Sequence, residues 1–128
     1  TGSGYQAAIL AVLGARVYTI ERQEGLYFQA KSLLERMGFN TIKCFFGDGT
    51  KGLPQFAPYH KIIVTAGAPV VPESLRQQLA WPGGILVIPV GTEVQMMYKI
   101  TRLSETEFHE DVLDSFRFVP FLKGVEKK

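Results

Sequence analysis

Three segments of the chain predict helices, each through a different feature of the sequence. Tyr5–Gly14 is apolar at almost every position and rich in alanine and leucine, which predicts a helix buried on all sides. Gln23–Met37 places its leucines at helical spacing with charged residues on the opposite face, and Gly38 supplies a C-terminal stop. A proline ahead of Glu73–Leu79 marks the start of a shorter helix. The sequence therefore predicts helices that differ in length and burial.

Runs of β-branched and aromatic residues between these helices predict short strands. Two of the runs, Lys61–Ala66 and Ile85–Val90, are almost continuously apolar, which fits strands covered on both faces. The last third of the chain has two alternating segments joined by a polar turn, which predicts a β-hairpin followed by a further extended piece. This order predicts an α/β fold whose sheet is mostly parallel with an antiparallel hairpin at its edge. The predicted strands are Arg16–Ile20, Thr41–Phe46, Lys61–Ala66, Ile85–Val90, Val94–Arg102, Phe108–Leu113 and Phe116–Val119.

Length and composition describe one ordered domain spanning residues 1–128. Of these residues 46% are hydrophobic, which excludes intrinsic disorder, and no apolar run approaches the roughly 20 residues that a membrane span requires. A net charge of +2 without a basic block gives no reason to expect nucleic acid as a partner. Cys44 is the single cysteine and His60 and His109 are the only histidines, so neither an intrachain disulfide nor a histidine-rich metal site is expected. A lone thiol suits the reducing cytoplasm.

In parallel α/β sheets, ligands bind at the carboxyl ends of the strands, so the candidate residues are sought there. The segment from Gly2 to Gly4 opens the first helix in a G-x-G-x-x-A pattern, and free N–H groups at such a start suit a polar or anionic group. Glu21 ends the next strand about 20 residues further on, where an acid accepts hydrogen bonds from ribose hydroxyls. Asp48 follows another strand, between two glycines, and can accept a hydrogen bond from an adenine amine.

Each of these three features, taken alone, also fits a purely structural role. The glycines fit a simple tight turn, Glu21 fits a solvated charge beside Arg22, and Asp48 fits a turn aspartate bonded to its own backbone. Together they predict a ligand that contains a nucleoside. Their spacing does not distinguish NAD from S-adenosylmethionine.

Several runs along the chain resemble those of the protein-L-isoaspartate O-methyltransferase family, in the same order and over essentially the whole length. The blocks around IVTAGAPVVP and PGGILVIPVG are far more specific than a glycine fingerprint. The runs that carry the resemblance are TGSGYQAA, VYTIER, GDGTKG, APYHKIIVTAGAPVVPESLRQQL, PGGILVIPVG and FRFVPF.

The resemblance implies a Rossmann-like methyltransferase fold and methyl transfer from S-adenosylmethionine to the carboxylate of an L-isoaspartyl residue, a reaction that repairs aged proteins. This carboxylate is already ionised at neutral pH, because its pKa is about 4, and so the protein needs no general base. A dry pocket that aligns cofactor and substrate is sufficient. Isoaspartyl peptides and proteins are the implied partners, and no metal is implied.

The resemblance also implies where the ligands lie. The glycine turn lines the methionine part of the cofactor, the acid after the first strand holds the ribose, and the Asp-Gly pair after the next strand holds the adenine. Thr65–Pro69 lies close to the transferring sulfur and the incoming peptide, and Val119–Phe121 borders the peptide groove. No residue of this chain is expected to transfer a proton. The expected cofactor-binding residues are Gly2, Ser3, Gly4, Glu21, Asp48 and Gly49, and the expected substrate-adjacent residues are Thr65, Ala66, Pro69, Val119 and Pro120.

The chain departs from the family pattern at its amino end. Family members carry there a helical segment whose serine–proline motif binds the isoaspartyl carboxylate, and a first strand that ends just before the glycine turn. Because that strand is central in the sheet, we expect its neighbours to lack a hydrogen-bonding partner, and unpaired buried backbone groups cost about 1–3 kcal/mol each. We therefore expect these residues to belong to a longer enzyme or to pair with a strand from elsewhere, and to be almost inactive alone.

Two other functions stay open on the sequence alone. An NAD-binding oxidoreductase domain shares the glycine fingerprint, and stabilisation by S-adenosylhomocysteine but not by NAD would argue against it. A non-catalytic relative would bind the nucleoside yet leave isoaspartyl peptides unmodified even when rejoined to its natural amino-terminal segment.

Overall fold

The computed structural model describes residues 1–2, 4–116 and 123–127. The chain forms two compact units: the first comprises Thr1–Gly49 with Lys123–Lys128, and the second comprises Thr50–Leu122. The first unit holds a two-stranded sheet and the second a four-stranded sheet. Each unit also has its own cluster of buried apolar side chains.

The first unit is a helix followed by a strand, a second helix and a second strand. Its strands pair in parallel, with Glu21 opposite Phe46 at their carboxyl ends. In the second helix, Ala30 and Leu34 are buried on the face predicted from the leucine spacing, and Gly38 (φ +85°) follows the helix end as expected. The elements are α1 (Tyr5–Val12), β1 (Tyr18–Glu21), α2 (Glu24–Arg36) and β2 (Lys43–Phe46).

The second unit begins with short 3-10 turns and is dominated by a sheet in the order β3-β4-β5-β6. The first two strands of this sheet are parallel, and the remaining pairs are antiparallel, as the predicted hairpin requires. The predicted α/β class, with parallel strands and an antiparallel hairpin at the edge, is therefore confirmed. The elements are β3 (Lys61–Ile63), α3 (Glu73–Arg76), β4 (Gly84–Val90), β5 (Gln95–Arg102) and β6 (Phe108–Phe116).

Two separate cores correspond to the two units. In the first core, α1 and α2 pack against the residue before β1 and the residue before β2. In the second core, α3 and the chain on either side of it pack on one face of β4 and β5. The buried residues of the first core are Ala7, Val17, Leu34 and Ile42. Those of the second core are Val64, Ala68, Leu75, Leu79, Leu86, Ile88 and Ile100.

The prediction that the first helix is buried on all sides is wrong. Only Ala7 of α1 is buried, while Tyr5 and Val12 are each 74% exposed and Ile9 is 41% exposed. The helix also ends at Val12, two residues before Gly14. A helix buries only the face that a neighbouring element covers, and within the described part of the first unit the cover comes from α2 and the segment around Val17.

Three other predictions differ from the structure for identifiable reasons. The strand predicted over Lys61–Ala66 ends at Ile63, which is 44% exposed, so the expected cover on both faces is wrong at this position. The third helix ends at Arg76 because the chain beyond it bonds to Tyr59, whose carbonyl oxygen accepts from the N–H of Ala80. Strand β6 runs on past the predicted break after its first half, because a bulge opposite the start of β5 absorbs one extra residue.

The last predicted strand, Phe116–Val119, lies outside the described residues beyond its first position. Of the helices in the described ranges, none combines the length and the apolar character that crossing a bilayer requires.

Candidate functional site

The chain enters α1 through a turn that requires glycine at two positions. Gly2 has φ +54° and Gly4 has φ +88°, both in the left-handed region that residues with a side chain rarely adopt. The N–H of Gly4 donates to the carbonyl oxygen of Thr1 at 3.1 Å. A Cβ atom on Gly4 would lie 3.3 Å from the side chain of Leu34, whereas one on Gly2 would meet no atom within 4 Å. Gly4 is thus held against the core and Gly2 borders open space; Ser3 lies outside the described residues.

The carboxylate of Glu21 lies directly beside this turn. Glu21 is the last residue of β1 and is only 9% exposed. Its Oε1 accepts a hydrogen bond from the N–H of Gly2 at 2.9 Å, and its Oε2 accepts one from the N–H of Gln23 at 3.0 Å. The amino group of Thr1 lies 3.4 Å from Oε1. Backbone donors on both sides of the strand end therefore orient the two carboxylate oxygens.

Burial and hydrogen bonding act on the pKa of Glu21 in opposite directions. Desolvation by burial is the largest single influence and raises the pKa. The backbone hydrogen bonds from Gln23 and Gly2 are the largest influences that lower it, and the pKa lies below its ordinary value of 4.5. Glu21 is therefore ionised at neutral pH and acts only as a hydrogen-bond acceptor.

Asp48 follows β2 at the same edge of the sheet. Phe46 pairs with Glu21 in the parallel ladder, and the N–H of Gly47 donates to the carbonyl oxygen of Glu21 at 3.0 Å. Asp48 is the next residue and is half-buried, and Gly49 then begins a 3-10 turn. The structure thus brings the glycine turn, Glu21 and the Asp-Gly pair together at the carboxyl end of one parallel sheet.

This strand end can accept hydrogen bonds from two neighbouring hydroxyl groups. A carboxylate offers about four acceptor sites, and the N–H groups of Gly2 and Gln23 occupy one on each oxygen of Glu21. The remaining sites suit the paired hydroxyls of a ribose. The start of α1 lies beside this turn, and its N-cap residue is Gly4, which has no side chain with which to cap the helix.

Three of the predicted substrate-adjacent residues lie in the second unit, just after β3. Thr65 and Pro69 are exposed and Ala66 is half-buried. The other two, Val119 and Pro120, lie outside the described residues. No group of three or more His, Cys, Asp or Glu side chains placed to hold a metal ion occurs in the described ranges.

The sequence did not reveal which groups hold the carboxylate of Glu21. The donors are backbone N–H groups of Gly2 and Gln23, and a backbone donor leaves no signature in the side-chain sequence. A weak signal exists for Gln23, because its position two residues after an acid at a strand end allows a local turn in which the carboxylate accepts from the backbone.

The family model of protein-L-isoaspartate(D-aspartate) O-methyltransferase matches residues 1–126 of the chain. The chain belongs to this family. Among curated members, the protein-L-isoaspartate O-methyltransferase of Christiangramia forsetii is 56% identical over 123 residues, which are 96% of this chain and 57% of that protein. The one from Flavobacterium johnsoniae is 50% identical over the same share of each chain. The chain therefore spans a little more than half the length of these isoaspartate methyltransferases.

Two solved structures have a similar fold. One protein-L-isoaspartate O-methyltransferase superposes with a TM-score of 0.85 at 28% identity, covering 93% of this chain and 39% of that one. A protein from Plasmodium falciparum described as a putative protein-L-isoaspartate O-methyltransferase, in complex with S-adenosyl-L-homocysteine, has a TM-score of 0.74 at 22% identity. It covers 94% of this chain and 59% of that one. Membership of the isoaspartate methyltransferase family favours the methyltransferase interpretation over the oxidoreductase.

Proposed function

We propose that residues 1–128 are the S-adenosylmethionine-binding domain of a protein-L-isoaspartate O-methyltransferase whose amino-terminal part is not included in this chain. The whole enzyme would transfer a methyl group from S-adenosylmethionine to the carboxylate of L-isoaspartyl residues in damaged proteins. One observation carries the proposal: Gly2, Glu21 and the Gly47–Asp48 segment lie together at one strand end. The chain that holds them belongs to this family.

The residues of this strand end fit the chemical groups of the cofactor. Glu21 is ionised and retains acceptor sites on both oxygens, which suits the two ribose hydroxyls. The open space beside Gly2 allows a ligand to approach the backbone closely, which suits the methionine part along Gly2–Gly4. Asp48, with Gly49 beside it, can accept from the exocyclic amine of adenine.

The proposed reaction requires no proton transfer by the residues of this chain. When bound, S-adenosylmethionine supplies a methyl group attached to a positively charged sulfur. The isoaspartyl carboxylate, with a pKa of about 4, is ionised at neutral pH and needs no base from this chain. What this chain contributes is the orientation of the ligands and the exclusion of water, which raise the rate by alignment and desolvation.

The acceptor peptide would be bound by residues outside the cofactor-binding strand end. We assign Thr65, Ala66 and Pro69, together with Val119 and Pro120, to the acceptor peptide on the basis of the family resemblance. The serine that holds the isoaspartyl carboxylate would lie in the amino-terminal segment, so the chain alone should bind cofactor but turn over almost no substrate. Such a repair enzyme would act in the cytoplasm, which agrees with a single free thiol at Cys44.

Ligand binding tests the cofactor assignment directly. S-adenosylhomocysteine should raise the thermal unfolding temperature of the chain, and NAD at the same concentration should not. Stabilisation by NAD alone would overturn the proposal in favour of an oxidoreductase. Binding of neither ligand would remove the proposed site altogether.

A chimera tests the reaction. The chain is joined to the amino-terminal segment of the Christiangramia forsetii relative and is incubated with S-adenosylmethionine and an isoaspartyl peptide, with the ordinary aspartyl peptide as the control. We expect methylation of the first peptide only. A chimera that binds S-adenosylhomocysteine but methylates neither peptide would show instead that the chain comes from a non-catalytic nucleoside-binding relative.

A further inference from the structure

The chain after β3 bulges away from its neighbour β4. The N–H of Val64 donates to the carbonyl oxygen of Val87 at 2.9 Å, and the next bond to β4 runs from the N–H of Ala68 to the carbonyl oxygen of Pro89, also at 2.9 Å. Between these bonds β4 advances by two residues and the chain after β3 by four. Regular parallel pairing would bond residue 66 to Pro89. Two extra residues are therefore looped out, and we call Thr65–Gly67 the bulge.

The buried side chain of Gln95 packs against the last residue of the bulge. A Cβ atom on Gly67 would lie 2.8 Å from Cγ and 2.9 Å from Cδ of Gln95, which is closer than real Cβ atoms approach any neighbour. Gly67 is itself buried, and Gln95 is only 1% exposed, so neither group has free space to move into. The bulge therefore lies directly on the Gln95 side chain.

Gln95 is held in place by its own surroundings. Its Nε2 donates to the carbonyl oxygen of Thr92 at 2.9 Å, which closes the short turn between β4 and β5. Its backbone lies at the start of β5, opposite the end of β6. The tight turn needs Gly91 at φ +138°, where a Cβ atom would lie 2.3 Å from the carbonyl oxygen of Val94. A rigid turn thus presents the amide side chain to the bulge.

Bulges next to active sites commonly orient the residues that they carry. On the proposed function, on which this inference rests, the bulge carries Thr65 and Ala66 towards the acceptor peptide. We propose that Gln95 is a positioning residue for the acceptor peptide, because it packs against Gly67 and fixes the shape of the Thr65–Gly67 bulge. The glycine turn, Glu21 and Asp48, to which the proposed function assigns the cofactor, belong to the other unit.

The test uses the chimera described above, with its methyltransferase activity measured against an isoaspartyl peptide. Gln95→Ala removes the side chain beneath the bulge, and we expect kcat/KM for the peptide to fall about tenfold, since small misplacements of positioning groups commonly cost that much or more. The KM for S-adenosylmethionine and the Kd for S-adenosylhomocysteine should stay unchanged. Gln95→Met keeps the volume without the amide and should restore most of the peptide kcat/KM.

A further variant, Gly67→Val, keeps the test decisive if Gln95→Ala folds poorly. Gly67→Val should lower the peptide kcat/KM by colliding with Gln95, and adding Gln95→Ala to Gly67→Val should cost less than the two single losses combined. Ile100→Val is the matched control, because Ile100 is also fully buried in β5, whereas the side-chain atoms nearest to Gly67 belong to Gln95.

The possible outcomes separate this inference from the proposed function. If the unmodified chimera methylates isoaspartyl peptides but Gln95→Ala keeps the same peptide kcat/KM, the positioning role is wrong and the function stands. Equal losses of peptide kcat/KM in Gln95→Ala and Ile100→Val, or a parallel loss of S-adenosylhomocysteine binding, would also overturn the positioning role. If the unmodified chimera methylates no peptide, the function itself fails.

Discussion

The carboxyl ends of strands β1 and β3 are held by different physical means. At the end of β1, the carboxylate of Glu21 is charged and accepts backbone hydrogen bonds from Gly2 and Gln23. At the end of β3, the bulge at Thr65–Gly67 carries no charged residue and packs on the neutral side chain of Gln95. One strand end is therefore organised by electrostatics and the other by packing.

This difference matches the two tasks proposed for the strand ends. A ribose presents hydroxyl donors, so it is best met by an ionised acceptor whose orientation is already fixed. An acceptor peptide carries its own negative carboxylate, and a second carboxylate beside it would repel that charge. A neutral, well-packed bulge avoids this repulsion. Variants that disturb charge and variants that disturb packing should therefore separate cofactor binding from peptide use.

The largest effects on stability are expected from matched truncations in the two cores. Leu34→Ala in the first unit and Leu79→Ala in the second remove side chains that are 3% and 0% exposed, respectively. Each should lower the free energy of unfolding by about 2–5 kcal/mol, as large-to-small core substitutions do. Because Leu34 packs against Gly4, Leu34→Ala should also weaken binding of S-adenosylhomocysteine, whereas Leu79→Ala should leave it unchanged. Thermal unfolding and calorimetric titration measure the two quantities.

Equal weakening of S-adenosylhomocysteine binding by both truncations would contradict this comparison. That result would mean that the glycine turn responds to general loss of stability rather than to its own packing against α2.

The next effect tests the charge at the end of β1. Glu21→Gln replaces one acceptor oxygen with an amide group that would face the N–H of Gly2 or Gln23, donor against donor. It also removes a charged acceptor, and hydrogen bonds to charged groups contribute about 1.5–3 kcal/mol. The Kd for S-adenosylhomocysteine should therefore rise by about 10- to 150-fold. Titration calorimetry at pH 7 gives the value.

Glu35→Gln is the matched control, because Glu35 is exposed on α2 in the same unit. It should leave the Kd unchanged. An unaltered Kd in Glu21→Gln would show that the acid at this strand end does not contact the ligand.

A smaller effect separates backbone conformation from site geometry. Gly4→Ala and Gly14→Ala both place a side chain at a positive φ, +88° and +94° respectively. Each should cost about 1–2 kcal/mol of stability, since the left-handed region is unfavourable by that amount. Only Gly4→Ala should also weaken binding of S-adenosylhomocysteine. Its Cβ would press on Leu34, whereas a Cβ at position 14 would meet no atom within 4 Å. Equal weakening by both variants would contradict this assignment.

Local patterns predicted much of the first strand end. The leucine spacing of α2, the position of Glu21 at the end of a strand and the glycines around Asp48 are all properties of neighbouring residues. The parallel pairing of β1 with β2 then brings the acid and the Asp-Gly pair to one edge. Helical and strand periodicities report such short-range order directly.

The bulge and the exposure of α1 could not be predicted in the same way. The bulge packs against Gln95, which is far from Gly67 in sequence and lies beyond β4 and the turn that follows it. The apolar residues of α1 predicted burial, but burial depends on what covers each face, and Val12 and Tyr5 remain exposed. Periodicity reports which residues could be buried; the neighbouring elements decide which of them are.

The smallest effect is the dependence of stability on pH, which sharpens the contrast between a charged and a packed strand end. The pKa of Glu21 lies below its ordinary value of 4.5 in the folded protein, so the folded state favours the ionised form. The resulting stabilisation is present above the unfolded pKa and is lost as the pH falls through the folded pKa. The stability difference between the unmodified protein and Glu21→Gln should therefore shrink as the pH drops below about 4.5, the ordinary pKa of the unfolded group. The stability difference between the unmodified protein and Gln95→Met should stay constant over the same range, because Gln95 does not titrate. Unfolding curves recorded at a series of pH values give both differences, and a constant difference for Glu21→Gln would show that its carboxylate is held no more tightly than in the unfolded chain.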